Sequence, residues 1–224
     1  MNARIALIHA TPLAMAPISQ AFARHWPQAS CQHLLDDRLS QDLARDGHLT
    51  PSMTQRFVDL ALYTQRAGAT GILFTCSAFG PAIEAAASAT GLPTLKPNEA
   101  MFEQALAHKP AGSVLHIGLV ATFEASIPSM SHEFLALAEQ RGLRVELHSQ
   151  FVSQAMADLA AGDSNAHHRK VAQGVANLPA CDVVMLAQFS MAQAQALSQQ
   201  HCTAPVLTSP DCAVLALQQR LHHV

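Results

Sequence analysis

The sequence lacks the features of a membrane-spanning or nucleic-acid-binding protein. No apolar run approaches the roughly 18 residues that a membrane span requires, and no basic block or Gly/Ser-rich linker interrupts the 224 residues. The formal net charge is only −3. The first residues do not combine a basic segment with a long apolar one, as a signal peptide would. These absences predict a cytoplasmic protein with neither a nucleic acid nor a membrane as partner.

Motifs for disulfides, structural metals and dinucleotides are also missing. The five cysteines are scattered, odd in number and never spaced as CxxC, which argues against a disulfide framework and a structural zinc site. The thirteen histidines do not form HExxH or another helical pairing. Because no GxGxxG turn occurs, a dinucleotide-binding domain is not expected. The sequence therefore predicts no metal site.

The sequence does contain a regular alternation of short apolar runs and longer segments rich in Ala, Leu and Gln, which is typical of βαβ units. Continuous apolar runs favour parallel strands covered on both faces, so we predict an α/β fold. Strands are predicted at Arg4–Ala10, Ser30–Leu35, Gly71–Phe74, Pro93–Leu95, Ser113–Val120, Arg144–His148, Val183–Ala187 and Pro205–Leu207. Helices are predicted at Ile18–His25, Pro51–Ala67, Pro81–Ala89, Glu99–His108, Phe123–Arg141, Val152–Ala161, Ser164–Asn177, Met191–Gln200 and Asp211–Leu221.

Three pairs of similar segments reveal an internal repeat of about half the chain. LPTLKPNEAM and APVLTSPDCAV share a proline, Pro93 or Pro205, and lie 112 residues apart; GILFTCSAFG and VVMLAQFSMA share the same offset. IALIHAT and IGLVAT, which end in Thr11 and Thr122, are offset by 111 residues. Two similar α/β lobes follow, residues 1–97 completed by residues 209–224, and residues 98–208.

Ligands of parallel α/β sheets bind at the carboxyl ends of the strands. If the two lobes face each other across a pseudo-twofold axis, these ends converge on one cleft. That cleft would be lined by Thr11, Cys76, Thr122, Gln188 and the pair Thr208–Ser209.

Cys76 occupies a position suited to a reactive thiol. It follows an apolar strand, precedes a helical segment and stands between Thr75 and Ser77. Nearby amide groups and the positive end of a helix dipole stabilise a thiolate, so we expect a lowered pKa. Ser77 and the amides of Ala78 and Phe79 are also suited to bind a carboxylate or an oxyanion.

These residues resemble the aspartate/glutamate racemase superfamily, which includes amino-acid and hydantoin racemases, maleate isomerases and arylmalonate decarboxylases. The resemblance rests on ILFTCSAFG, the half-chain repeat and the polar strand ends. It implies two pseudo-symmetric Rossmann-like domains with parallel sheets, an active site in the cleft between them, and no cofactor. A homodimer would be an ordinary assembly for this family. The implied substrate is a small carboxylate or an amino-acid derivative.

The racemases of this superfamily use two cysteines, one from each half, and the sequence departs from that pattern. Cys76 matches the first cysteine, whereas Gln188 stands where the second is expected. A carboxamide is not a useful acid or base near neutral pH. Cys212, at the start of the last helix, is a weaker substitute, and His9, Glu99 or Asp211 are candidate partners in an asymmetric reaction.

Three chemistries remain open for a single thiol. Cys76 would add to an activated double bond in a cis–trans isomerase, protonate a carbanion in a decarboxylase, or act as one base of a racemase. A degenerate protein that only binds a ligand is a further alternative.

Further residues are candidates for substrate binding or closure. Phe123 and Phe189 follow strands and are suited to shield the cleft from water, while Lys96 would bring positive charge to a carboxylate. The segment 36–38 (DDR) is interpreted either as a loop over the site or as a solvated connection. The predicted catalytic residue is Cys76, and the predicted substrate-binding residues are His9, Thr11, Thr75, Ser77, Ala78, Thr122, Phe123, Gln188, Phe189, Ser190, Thr208 and Ser209.

Overall fold

The computed structural model describes residues 3–108 and 113–222 of the chain. The chain divides into two compact units, Met1–Ala100 with Ala213–Val224, and Met101–Cys212. The strands are β1 (Arg4–His9), β2 (Ser30–Leu35), β3 (Gly71–Phe74), β4 (Thr94–Leu95), β5 (Leu115–Ala121), β6 (Val145–Phe151), β7 (Val183–Leu186) and β8 (Val206–Thr208). The helices are α1 (Met15–His25), α2 (Arg38–Asp46), α3 (Pro51–Arg66), α4 (Gly80–Thr90), α5 (Glu99–Leu106), α6 (Ile127–Gln140), α7 (Ala155–Ala160), α8 (Ser164–Ala176), α9 (Gln195–Ser198) and α10 (Ser209–His222).

Each unit contains one parallel sheet of four strands. The strand order is β2-β1-β3-β4 in the first unit and β6-β5-β7-β8 in the second. Strands β3 (GILF) and β7 (VVML) are buried along their whole length, as expected of inner strands covered on both faces. The predicted α/β fold with two similar parallel-sheet units is confirmed.

The strand registers fix the offset between the two units. Ile5 pairs with Gly71 in the first sheet and Ile117 with Val183 in the second, which corresponds to an offset of 112 residues. The offset predicted from Thr11 and Thr122 is therefore wrong by one residue. With an offset of 112, Thr122 corresponds to Ala10 and not to Thr11. The sequence comparison matched the two threonines by residue type and not by their place in the strand.

The segment after β2 is a helix, which the sequence interpretation missed. Instead of a closing loop or a solvated connection, α2 begins at Arg38. The Arg56 side chain of α3 donates to Asp36 at 2.6 and 2.9 Å and to Asp42 at 2.7 Å. These ion pairs tie the end of β2 and the first half of α2 to α3.

Two predicted helices start differently from expectation. Phe123–Arg141 begins with a 3-10 turn, Glu124–Ser126, before α6. Met191–Gln200 is mostly a 3-10 segment, Phe189–Ala194, followed by the short α9. In α6 the proline in the first turn is tolerated because its missing N–H would have no partner there.

Of the helices within the described ranges, none is both long and apolar enough to cross a membrane.

Gly174 allows α8 to lie close to the second sheet. A Cβ atom at this position would stand 2.5 Å from Val152 Cγ2 and 3.3 Å from Val120 Cγ1. Both valines are buried, and β-branched side chains have few alternative rotamers. The glycine is therefore required by packing, although it sits within a helix.

We predict that Gly174→Ala lowers the free energy of unfolding, measured with urea. Alanine favours a helix by about 1 kcal/mol, but overpacking a core costs about 1–3 kcal/mol, so the packing cost should dominate. Gly80→Ala is the matched control, since a Cβ atom at that position would meet no atom within 4 Å, and its stability should be unchanged or higher. A Gly174→Ala protein more stable than wild type would contradict this account of the packing.

Candidate active site

The first candidate site is built where β1 and β3 end side by side. The backbone amide of Thr75 donates to the Ile8 carbonyl at 3.1 Å, which continues the strand ladder. Next to it, the imidazole Nδ1 of His9 lies 2.8 Å from the Thr75 hydroxyl oxygen. His9 is only 1% exposed. The residue before Cys76 is thus bound to β1 through both its backbone and its side chain.

His9 belongs to a chain of four hydrogen-bonded side chains. Its Nε2 lies 2.9 Å from His33 Nδ1 on β2, and His33 Nε2 lies 3.2 Å from the Ser19 hydroxyl of α1. The Ser19 hydroxyl donates to the Met15 carbonyl at 2.9 Å, so it accepts from His33 Nε2. His9 Nε2 then donates to His33. The Thr75 hydroxyl lies 2.8 Å from His9 Nδ1 and 3.5 Å from the Ile8 carbonyl, and it donates to the nearer acceptor, His9 Nδ1.

Both imidazoles of this chain are neutral near pH 7. Burial and, to a smaller extent, the neighbouring His33 ring together lower the pKa of His9 from 6.5 to about 4. Burial also lowers the pKa of His33. The rings stack with centroids 5.1 Å apart, a geometry that two adjacent positive charges would oppose. Neutral His9 positions Thr75 through a hydrogen bond that it accepts.

Cys76 follows Thr75 in extended backbone conformation and is half-buried. A 3-10 turn, Ser77–Phe79, separates Cys76 from α4, and both Ser77 and Ala78 are exposed. Burial raises the pKa of the Cys76 thiol, while a hydrogen bond from the Ala78 backbone opposes this rise with a smaller effect. The expected lowering of this pKa is wrong, because desolvation of the thiolate outweighs the nearby amide.

A cluster of aromatic rings holds the turn after Cys76. The Phe79 and Phe57 ring centroids lie 4.8 Å apart, and the Phe57 and Phe74 centroids lie 5.3 Å apart. All three rings are buried. The end of β3 and the turn are thereby anchored against α3 on both sides of Cys76, which explains why the thiol is poorly hydrated.

Gln188 occupies the corresponding position in the second unit and is hydrogen-bonded through both the oxygen and the nitrogen of its carboxamide. Its Oε1 accepts from the Thr122 amide at 2.9 Å and from the Thr122 hydroxyl at 3.2 Å. Its Nε2 donates to the Ser126 hydroxyl at 3.0 Å. The carboxamide therefore connects the ends of β5 and β7 and the turn before α6.

The candidate acids have structural partners of their own. The Asp211 amide donates to the Thr208 hydroxyl at 3.4 Å, as in a helix N-terminal cap, and the Thr208 hydroxyl donates to an Asp211 carboxylate oxygen at 2.5 Å. Glu99 accepts from Arg220 at 2.5 Å. Burial raises the pKa of Cys212 to about 12, which makes this thiol a poor source of thiolate.

The remaining predicted contacts divide by exposure. Phe123 is 57% exposed, whereas Phe189 is buried. Thr11 and Ser190 are partly exposed, and Thr122, Thr208 and Ser209 are buried. Lys96 pairs with Glu84 at 2.5 Å. The first sheet brings together His9, Thr75 and Cys76, and the second brings together Thr122 and Gln188.

Three residues near these strand ends were missed by the sequence analysis: Ser19, His33 and Ser126. His33 pairs with Leu7 in the β1–β2 register, so it shares a sheet face with His9. His9 and His33 lie on different strands, so the sequence shows that they share a sheet face only once the β1–β2 register is known. Ser126 offers no pattern beyond a helix-start serine.

The chain belongs to the Asp/Glu/Hydantoin racemase family, whose sequence model matches residues 8–217. This confirms the resemblance inferred from the sequence. Among curated proteins, none matches significantly.

Solved structures with the same fold include racemases and a decarboxylase. A glutamate racemase of Bacillus anthracis has a TM-score of 0.71 at 15% identity and covers 99% of this chain and 82% of its own. An allantoin racemase of Klebsiella pneumoniae has a TM-score of 0.70 at 15% identity, with coverage of 99% and 88%. An arylmalonate decarboxylase has a TM-score of 0.62 at 16% identity, with coverage of 96% and 91%. At these identities the likeness shows the fold.

We predict that acidification destabilises the protein partly through His9. The folded state keeps His9 neutral with a pKa of about 4, whereas the unfolded chain binds a proton with a pKa near 6.5. The stabilisation is complete above pH 6.5 and is lost as the pH falls toward 4. The loss from His9 amounts to roughly 2 kcal/mol between pH 7 and pH 5.

Urea unfolding at several pH values tests this prediction against His9→Gln. Glutamine keeps a donor and an acceptor but does not titrate, so the variant should be less stable at pH 7 and less sensitive to acid. Parallel stability profiles for the two proteins between pH 7 and pH 5 would refute the assignment of a neutral, proton-excluding His9.

Proposed function

We propose that this protein is a cofactor-independent isomerase, a racemase or a cis–trans isomerase, that acts on a small carboxylate or amino-acid derivative. Cys76 is its one reacting thiol. The observation that supports this proposal is the contrast between the two units. Cys76 stands at a strand end beside exposed Ser77 and Ala78, whereas Gln188, at the equivalent position, is hydrogen-bonded to Thr122 and Ser126.

Substrate binding would use the exposed turn after Cys76. The Ser77 hydroxyl is suited to donate to a substrate carboxylate, and Thr11, Phe123 and Ser190 are partly or fully exposed at other strand ends. The buried members of the predicted set act indirectly in this proposal. His9 and Thr75 fix the position of Cys76 through the strand end, and Thr122 fixes Gln188.

In the proposed reaction the resting Cys76 is a thiol. It loses its proton when sulfur reacts and has regained a proton when the product leaves. For cis–trans isomerisation, Sγ bonds to one carbon of the activated double bond, and the thiol proton passes to a carboxylate oxygen of the enediolate that forms. Rotation about the resulting single bond follows, and elimination breaks the C–S bond, restores the double bond and returns the proton to sulfur.

For proton exchange at carbon, water takes the Cys76 proton, and the thiolate then removes the proton from one face of the substrate carbon and is again a thiol. The proton held by water returns to the opposite face of the carbanion. Gln188 would contribute hydrogen bonds only, since a carboxamide does not exchange protons near neutral pH.

Decarboxylation of a malonate-type acid is the second candidate. The raised pKa of Cys76 favours it, because loss of carbon dioxide leaves a carbanion that needs only a proton donor. The thiol would protonate that carbon, and water would restore the thiol. A ligand-binding protein without turnover is a third outcome, which the engagement of Gln188 keeps open.

The deciding experiment is a panel of dicarboxylates, hydantoins and amino acids incubated in deuterium oxide and followed by NMR. We expect turnover of at least one compound, and we expect its rate to fall by at least about 100-fold in Cys76→Ala. Cys202→Ala is the matched control, since it too removes a half-buried thiol whose pKa is raised by burial, and its rate should be unchanged.

The products separate the candidate functions. Deuterium at carbon without loss of carbon dioxide indicates racemisation, isomerisation without deuterium indicates covalent addition, and carbon dioxide release indicates the decarboxylase. Saturable binding without turnover would leave the non-catalytic alternative. Full activity in Cys76→Ala would overturn the proposal.

A further inference from the structure

Two histidines and a glutamate meet on one face of the second sheet. His116 lies on β5 and directly opposite Glu146 on β6, and His148 follows Glu146 by two residues on the same strand. Side chains two residues apart on a strand share a face, and paired residues of parallel strands do so as well. The fold thus fixes all three side chains on the same side of the sheet.

The donor atoms of these side chains are close enough to share one ion. His116 Nδ1 lies 3.5 Å from Oε2 of Glu146, and His148 Nε2 lies 3.4 Å from Oε1 of the same carboxylate. One donor atom from each residue can be chosen so that all lie within 4.8 Å of one another. Zinc bonds of 2.0–2.2 Å in tetrahedral geometry separate ligand atoms by about 3.3–3.6 Å, and both nitrogen-to-oxygen distances already fall in that range.

A simple hydrogen-bonded cluster explains this arrangement less well. Both nitrogen-to-oxygen distances exceed the 2.7–3.2 Å of N–H···O hydrogen bonds. The imidazole rings are nearly parallel, at 10°, with centroids 6.2 Å apart and the carboxylate oxygens within reach of each. Two nitrogen donors that flank a carboxylate without bonding to it match the requirements of a cation better than those of a proton.

The surroundings allow an ion to enter and hold the ligands in place. Strand β6 is an edge strand, and the side chains of His116 and Glu146 are 42% and 57% exposed, so water can complete the coordination. The His116 amide donates to the Asp182 carboxylate at 2.8 Å, and the Asp182 amide donates back to the His116 carbonyl at 2.7 Å. This pair of bonds fixes the backbone of one ligand.

We propose that His116, Glu146 and His148 bind a divalent transition-metal ion of the zinc, cobalt, nickel and copper group, with water in the remaining positions. Two imidazoles and one carboxylate suit these metals better than magnesium or calcium, which prefer oxygen ligands. The site is independent of Cys76 chemistry and departs from the sequence-based expectation that the protein has no metal site. Its effect is to join β5 to the edge strand β6.

The test is calorimetric titration of the untagged, metal-free full-length protein with zinc, and cobalt absorption spectra report the ligand geometry. We expect one equivalent to bind, and His148→Ala and Glu146→Gln to weaken the affinity at least about tenfold, because loss of a direct ligand should cost no less than loss of its supporting residue. His132→Ala removes an exposed histidine from α6 of the same unit, and Cys202→Ala removes a competing thiol. Both should bind as wild type.

Three results bear directly on the proposal. Wild-type affinity in both His148→Ala and Glu146→Gln, or no zinc binding to the wild-type protein, would overturn it. Circular dichroism of each variant establishes that it is folded, and Glu146→Gln is the second ligand variant if His148→Ala fails to fold. Magnesium should not compete with zinc at equal concentration, and effective competition by magnesium would contradict the assigned metal class.

Discussion

Each sheet depends on a hydrogen-bonded connection between the end of its first strand and the end of its third strand. In the first unit His9 connects to Thr75, and in the second unit Thr122 connects to Gln188. The residues that make these connections after the third strands are offset by one position between the two units. The first employs the residue before Cys76, so the thiol continues into the exposed turn. The second employs the residue that corresponds to Cys76, which commits Gln188 to holding the strands together.

This difference is the basis of the different chemical roles that we propose for the two repeated units. A repeat of similar βα elements supplies two similar strand ends, but only one of them presents a thiol. Gln188 gives its acceptor to Thr122 and one donor to Ser126. Breaking the first of these contacts would take a hydrogen-bond partner from Thr122, which is buried, and such a loss is costly. The proposed chemistry therefore assigns proton transfer to Cys76 alone and gives Gln188 no proton to exchange.

Much of the fold could be predicted from the sequence, because buried parallel strands such as GILF and VVML have an unambiguous apolar pattern. Helix α2 could not, because RLSQDLARD is mostly polar and only Leu39 is fully buried. Its position depends on Arg56, a contact across 14 to 20 residues. Local propensity does not report such a contact.

The candidate site was predictable in position but not in its electrostatics. The strand end and the glutamine substitution at position 188 follow from the repeat, whereas the partner of His9 is His33, which only the β1–β2 register brings close. The direction of the Cys76 pKa shift depends on how Phe57, Phe74 and Phe79 exclude water around the turn. The sequence indicates a favourable helix dipole but not the opposing desolvation, and desolvation is the larger effect here.

The proposed chemistry requires Cys76 to be a reachable thiol that remains protonated in the resting protein. The most direct measurement is the rate of its alkylation by iodoacetamide as a function of pH, read from the mass of the peptide that contains it, in folded and in urea-unfolded protein. We expect the rate for the unfolded chain to level off above a pKa near 8.5. The folded-state rate should still be rising at that pH, because burial raises the pKa of Cys76. A folded-state rate that levels off below pH 8, or a Cys76 that reacts only after unfolding, would contradict it.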